Sequence, residues 1–119
     1  MSAPIAVVIE DEPQIRRFVR SALEAQGWQV HEAGTLRQGL AEAGTRKPDL
    51  LVLDLGLPDG DGVDLIRDVR SWSQVPIVVL SARSDESDKI AALDADHGAV
   101  FQLILPKEDR DAEGALLCT

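Results

Sequence analysis

Short apolar runs alternate along this chain with longer segments in which apolar residues recur every three or four positions. The runs at residues 5–9, 50–53 and 75–80 contain no polar alternation, and the first of them is rich in β-branched residues. This composition is typical of strands that are buried on both faces of a sheet. Weaker strands are predicted at residues 28–31 and 100–105.

The segments between the strands predict amphipathic helices. The first begins at Pro13, which suits the first turn of a helix, and ends at Gly27, a common stop signal. Its predicted inward stripe consists of Ile15, Phe18, Val19, Ala22 and Leu23.

The second predicted helix starts at Thr35, which forms a capping box with Gln38, and ends near Gly44. Its inward residues are Leu36 and Leu40. The third predicted helix has an inward stripe that consists of Gly62, Leu65, Ile66 and Val69. Its predicted water-facing residues are Asp64, Arg67, Asp68 and Arg70. Ser84 is placed to cap a fourth helix.

This alternation predicts the fold class. Apolar strands separated by amphipathic helices indicate an α/β protein with a doubly wound, five-stranded parallel sheet and helices on both faces. In such folds ligands bind beyond the carboxyl ends of the strands, so the residues at those ends are the first candidates for chemistry.

Length and charge restrict the classes of protein further. The 119 residues suit one domain, and no apolar run approaches a membrane span of about 20 residues. The net charge of -9 argues against direct nucleic-acid binding by this segment. Cys118 is the single cysteine, which fits a reducing cytoplasm, and no signal peptide is expected.

Acidic residues follow two of the strongest predicted strands. Glu10 and Asp11 end the first strand, and Asp54 ends the third. If these strands are neighbours, three carboxylates converge and repel one another unless a cation binds them. Oxygen ligands of this kind suit Mg²⁺, and a magnesium site with few protein ligands favours phosphoryl transfer. Aspartate can itself carry a phosphoryl group covalently.

Three segments resemble the signatures of response regulator receiver domains. They read VIEDE at 8–12, LVLDLGLPDGDG at 51–62 and VVLSAR at 78–83, and the resemblance covers about residues 5–95. Residues 54–62 and 84–94 are most similar to the regulators of high-affinity potassium uptake, which belong to the subfamily with a winged-helix DNA-binding domain. The resemblance implies a flavodoxin-like, CheY-like fold.

The resemblance also assigns roles to single residues. Asp54 would be the phosphoacceptor, and Asp11 would bind Mg²⁺ directly. Glu10 would act through a water, Gly56 would offer its backbone carbonyl to the metal, and Ser81 would hydrogen-bond the phosphoryl oxygens. The phosphoryl donor would be a sensor histidine kinase. The output would be transcription control by a DNA-binding domain that this chain lacks.

The last part of the chain, residues 96–119, departs from the family pattern. Leu105 stands where the site lysine is expected, and Lys107 lies two residues later. The polar stretch after Lys107 predicts a last helix that is short or altered. Apolar surface left uncovered by such a helix leaves homodimerisation open. The whole chain, residues 1–119, is interpreted as one receiver domain without an effector domain.

Three alternatives remain open from the residues. Glu10 and Asp11 could simply cap the first helix. A pseudo-receiver would bind partners without phosphorylation. A magnesium-dependent phosphatase of the haloacid dehalogenase type also uses an aspartate at a strand end, but it needs a second aspartate where Gly56 stands. We therefore expect a switch module rather than an enzyme.

Overall fold

Strands and helices alternate along the part of the chain that the computed structural model describes, residues 3–81 and 100–104. The strands are β1 (Ile5–Ile9), β2 (Gln29–Ala33), β3 (Leu50–Asp54), β4 (Ile77–Ser81) and β5 (Val100–Ile104). The helices in this part are α1 (Pro13–Ala25), α2 (Leu36–Arg46) and α3 (Gly62–Arg70). The predicted fourth helix at Ser84 and the predicted short last helix lie outside the described residues.

The five strands form one parallel sheet in the order β2-β1-β3-β4-β5. The chain therefore moves outward from β1 in one direction and then from β3 in the other, which confirms the doubly wound fold. β1 and β3 are hydrogen-bonded neighbours, with Ile9 opposite Leu53. Their carboxyl ends lie at the point where the strand order reverses, the usual ligand position in such sheets.

The core has two parts because successive strand residues point to opposite faces of the sheet. On one face the strands pack against α2 and α3, through Val7, Ile9, Leu51, Leu53, Ala43, Ile66 and Val69 among others. On the other face α1 covers a smaller cluster around Val8, Val52, Leu80 and Ile15. The strands are buried from both sides, as their unbroken apolar runs predict.

Helix α1 begins with a cap that the sequence did not single out. Glu12 accepts a hydrogen bond from the backbone nitrogen of Gln14, so the N-cap considered for Glu10 and Asp11 is Glu12 instead. The carboxylates of Glu10 and Asp11 are therefore not the N-cap of α1. The helix ends just before Gly27, whose φ of 92° is a conformation that favours glycine.

The caps of α2 and α3 follow the sequence pattern closely. The Thr35 hydroxyl accepts a hydrogen bond from the backbone nitrogen of Gln38 at 3.1 Å, which confirms the predicted start of α2. Asp61 accepts one from the backbone nitrogen of Val63 at 2.9 Å and begins α3. The Asp-Gly-rich segment before α3 is thus a turn and a helix start, as its composition indicates.

The predicted inward stripe of α1 is wrong in two of its five residues. Phe18 is 42% exposed and Ala22 also faces solvent. The contacts with the sheet come from one row spaced four residues apart, in which Ile15 is buried and Val19 and Leu23 are partly buried. The α1 helix lies against β1 and β2.

Arg70 was predicted to face water, and that prediction is wrong. Its residue exposure is only 8%, and its Nη1 donates to the backbone carbonyl of Ser73 at 3.2 Å. Arg70 is the last residue of α3, so its side chain can fold over the turn that follows. An arginine stem buried in this way contributes packing as well as charge.

Two glycines of α2 provide a stability prediction. A Cβ atom at Gly39 would lie 2.5 Å from Cδ1 and 2.7 Å from Cγ1 of Ile9, whereas one at Gly44 would meet nothing within 4 Å. We expect Gly39→Ala to lower the free energy of unfolding by roughly 1–3 kcal/mol through overpacking. Gly44→Ala should instead raise it by about 0.5–1 kcal/mol. Urea unfolding measures both, and equal effects at the two sites would contradict this packing.

Candidate functional site

Three carboxylates meet at the carboxyl ends of β1 and β3. Glu10, Asp11 and Asp54 each offer an oxygen atom, and these atoms all lie within 4.8 Å of one another. Glu10 is only 2% exposed, Asp54 is partly buried and Asp11 is exposed. The acidic cluster formed by these three residues therefore runs from the end of the sheet out to solvent.

Glu10 is fixed in place at the buried end of the acidic cluster. Its backbone nitrogen donates to the carbonyl of Ala33 at 3.0 Å, and its Oε2 accepts from the backbone nitrogen of Glu12 at 2.9 Å. Burial raises the pKa of Glu10 from 4.5 to about 8, and the negative charge of Asp54 adds to the rise. Near neutral pH the cluster thus favours either a bound proton or a bound cation.

Asp54 is oriented by the loop that follows β3. Its Oδ1 accepts a hydrogen bond from the backbone nitrogen of Gly56 at 3.1 Å. Leu55 and Leu57, on either side of Gly56, are buried in the core, so the loop is anchored around an exposed glycine. The carboxylate is consequently held at the edge of the sheet rather than being free to rotate.

The same loop is attached to α2 by a cap that sequence reasoning missed. Asp59 accepts hydrogen bonds from the backbone nitrogens of Leu36 at 2.8 Å and Arg37 at 3.1 Å. The bond from Leu36 is the main reason why the pKa of the Asp59 carboxyl is lowered. Since 23 residues separate Asp59 from Leu36, no local capping pattern could reveal this contact.

Arg16 is a second residue whose position the sequence did not indicate. The sequence pattern favours a solvated arginine face on the first helix, formed by Arg16, Arg17 and Arg20. The Arg16 side chain is only 25% exposed, and its Nη1 donates to the backbone carbonyl of Glu10 at 2.8 Å. The solvated-face interpretation therefore fails for Arg16.

The structure brings together three of the predicted site residues, Glu10, Asp11 and Asp54. Leu80 lies opposite Asp54 in the sheet, so Ser81 ends β4 one residue beyond that level. For Ser81 the structure describes the backbone alone. Lys107 lies outside the described residues. Gly56 lies next to Asp54, as the hydrogen bond between them shows.

Comparison with known proteins decides the family. Residues 6–108 match the family pattern described as "Response regulator receiver domain". The chain belongs to that family. Receiver domains generally bind Mg²⁺, and the all-oxygen donor set of the acidic cluster fits a hard divalent cation.

The receiver domain is similar to curated transcriptional regulators. It is 68% identical over 89 residues to the KDP operon transcriptional regulatory protein KdpE of Escherichia coli, covering 75% of this chain and 40% of that protein. It is 48% identical over 91 residues to transcriptional regulatory protein KdpE of Mycobacterium tuberculosis, covering 76% and 40%. The chain thus spans about 40% of the length of these relatives.

Solved structures agree with the fold. The chemotaxis response regulator CheY4 of Vibrio cholerae superposes with a TM-score of 0.77 at 25% identity, covering 88% of each chain. The receiver domain of the putative response regulator NarL from Mycobacterium tuberculosis gives 0.74 at 27% identity, covering 87% of this chain and 85% of that one. Among the helices described here, none has the length and apolar character needed to cross a membrane.

Proposed function

We propose that this receiver domain takes up a phosphoryl group on Asp54 in a reaction that needs Mg²⁺. The observation that carries the proposal is the convergence of Glu10, Asp11 and Asp54 within 4.8 Å at the switch point of the sheet. Membership of the receiver family supports the same chemistry.

Metal binding and phosphoryl acceptance would be carried out by several groups of the site. Asp11 and the backbone carbonyl of Gly56 would hold Mg²⁺ together with Asp54, and Glu10 would act through a water. When bound, the ion offsets negative charge on the moving phosphoryl group. A carboxylate oxygen of Asp54 attacks phosphorus, the bond from phosphorus to the donor breaks, and an acyl phosphate forms on Asp54.

Two further residues would act on the phosphoryl group once it is attached. The Ser81 hydroxyl would donate a hydrogen bond to a phosphoryl oxygen, since the end of β4 lies beside Asp54. Lys107 is our candidate for the cation that pairs with the phosphoryl group. The new charge would then bias the loops at this edge of the sheet between two states.

The partners follow from the family and from the relatives. We assign a sensor histidine kinase as the phosphoryl donor, acting in the cytoplasm. The output would be transcription, through a DNA-binding domain beyond this segment, since the similar KdpE proteins are transcriptional regulators of which the match covers only 40%. Homodimerisation remains a hypothesis that sedimentation equilibrium tests directly.

The alternatives are not favoured. The haloacid dehalogenase type of phosphatase loses support because the chain matches the receiver family over residues 6–108. A pseudo-receiver would not need a complete acidic cluster, whereas Glu10, Asp11 and Asp54 are all present and close together.

Intact mass spectrometry tests the proposed function. After incubation with Mg²⁺ and acetyl phosphate, we expect the protein to gain the mass of one phosphoryl group, and we expect Asp54→Asn to gain none. Chelation of Mg²⁺ should abolish the gain in the parent protein. A folded parent that gains no mass, or an Asp54→Asn variant that gains as much as the parent, would contradict the proposal.

A further inference from the structure

Arg16 touches the acidic cluster through the backbone. Its Nη1 donates at 2.8 Å to the carbonyl oxygen of Glu10. That oxygen belongs to the peptide unit that joins Glu10 to Asp11. Because the atoms of a peptide unit lie in one plane, a hydrogen bond to its oxygen also fixes the direction in which the chain enters Asp11.

The guanidinium is itself held by a neighbouring strand. Arg16 Nε lies 3.7 Å from Oε1 of Glu32 on β2, and the Arg16 side chain is 25% exposed. The other oxygen of Glu32 accepts from Nη1 of Arg20 at 3.2 Å, and Arg20 Nε lies 3.0 Å from Glu24. An ion-pair chain therefore connects α1 with the end of β2, and Arg16 is the member of it that contacts Glu10.

The two carboxylates of the β1 end depend on this contact to different degrees. Glu10 is already fixed by its bonds to Ala33 and Glu12. Asp11 is exposed and sits in the bend between β1 and α1. The orientation of the Glu10–Asp11 peptide is therefore the means by which Arg16 can hold the Asp11 carboxylate towards Asp54.

We propose that Arg16 is a positioning residue for cation binding, which sets the Asp11 carboxylate through its hydrogen bond to the Glu10 carbonyl. This inference rests on the proposed function, since the cation is the one that phosphoryl uptake requires. Residues that orient metal ligands typically change metal affinity about 10- to 100-fold when they are removed.

The test compares Arg16→Ala with Arg20→Ala in the full chain. Both variants break an ion pair with Glu32, but Arg20 bonds to Glu24 and Glu32 rather than to Glu10. We expect Arg16→Ala to raise the Mg²⁺ dissociation constant, measured by isothermal titration calorimetry, at least about tenfold. Arg20→Ala should leave it within about twofold, because exposed ion pairs contribute little.

A second readout distinguishes positioning from a general loss of structure. For Arg16→Ala, the Mg²⁺ concentration that half-saturates phosphoryl uptake from acetyl phosphate should rise by the same factor. The rate at saturating Mg²⁺ should stay close to that of the parent. Arg16→Lys keeps one donor, so its Mg²⁺ dissociation constant and its half-saturating Mg²⁺ concentration should lie between those of the parent and the alanine variant. If Arg16→Ala does not fold, the lysine variant provides the test.

The outcomes separate this inference from the proposed function. If the parent binds Mg²⁺ and takes up a phosphoryl group while the Arg16 variants bind Mg²⁺ equally well, the positioning role is wrong and the proposed function stands. If Arg16→Ala and Arg20→Ala weaken Mg²⁺ binding equally, the positioning role is also wrong. A parent that binds no Mg²⁺ overturns both.

Discussion

Glu10→Gln is expected to stabilise the metal-free protein at pH 8 by on the order of 4 kcal/mol, given that one pKa unit corresponds to about 1.4 kcal/mol. Burial raises the pKa of Glu10 from 4.5 to about 8, so the ionised carboxylate is disfavoured in the folded state. Glutamine has a similar shape, carries no charge and can still accept the hydrogen bond from the Glu12 backbone.

The pH dependence of this effect has a definite sign. The folded pKa of Glu10 lies above its unfolded value of 4.5, so the folded state binds this proton more tightly. The contribution of Glu10 to stability is complete below pH 4.5 and is lost as the pH rises towards 8. The advantage of Glu10→Gln should therefore be large at pH 8 and close to zero near pH 4.5.

Mg²⁺ should reduce the stability advantage of Glu10→Gln. A cation that binds only the folded state stabilises it by RT ln(1 + c/Kd), where c is the free Mg²⁺ concentration, which is about 2.7 kcal/mol at one hundred times Kd, and the parent has the complete carboxylate set. Urea unfolding at several pH values, with chelator and with saturating Mg²⁺, measures both effects. Glu24→Gln on the exposed face of α1 is the control and should change little. A Glu10→Gln variant that is less stable than the parent at pH 8 without metal would contradict the account.

Most of the fold could be predicted because it depends on local pattern. Unbroken apolar runs require burial on both faces, and that requirement forces helices onto each side of the sheet. Thr35 and Asp61 cap their helices through contacts two or three residues away, which sequence spacing reveals. The position of the site follows from the same logic, since the ends of adjacent parallel strands must meet.

The errors arise where a side chain's surroundings depend on tertiary packing or on the path of the following turn, neither of which helical periodicity reveals. The hydrogen bond that Asp59 accepts from the backbone nitrogen of Leu36 spans 23 positions. The burial of Arg70 depends on the turn after α3, where its side chain donates to the carbonyl of Ser73. Phe18 lies in a row with helical spacing, but whether that row meets the sheet depends on the angle at which α1 packs. Periodicity identifies an apolar stripe without identifying its partner.

The contact of Arg16 with Glu10 is another that sequence periodicity does not reveal. A run of arginines on an amphipathic helix is usually a solvated face, and only the path of the chain between β1 and α1 brings one of them to Glu10. The carboxylates could be predicted from strand ends, whereas the residue that orients their backbone could not. Sequence reasoning therefore finds the groups that carry charge more readily than the groups that hold them.

Gly62→Ala is expected to lower the free energy of unfolding and to slow phosphoryl uptake. A Cβ atom at Gly62 would lie 2.9 Å from Cα of Leu55 and 3.3 Å from the carbonyl oxygen of Asp54. These are backbone atoms of the segment that carries Asp54, the proposed phosphoacceptor, so they can yield only if that segment moves. We expect the free energy of unfolding to fall by about 2–3 kcal/mol, which is typical of overpacking by a methyl group.

The displacement should also slow phosphoryl uptake. A reacting group that moves by about 1 Å can lose roughly a hundredfold in rate, so we expect a ten- to hundredfold decrease with acetyl phosphate under conditions where the variant remains folded. Gly44→Ala on α2 is the control outside the acidic cluster, because its Cβ would meet nothing within 4 Å. Its phosphoryl uptake should stay near the parent value. If Gly62→Ala takes up the phosphoryl group as fast as Gly44→Ala, then the close contact between the start of α3 and the end of β3 does not set the position of Asp54. The loop must then be able to absorb the extra methyl group without moving the carboxylate.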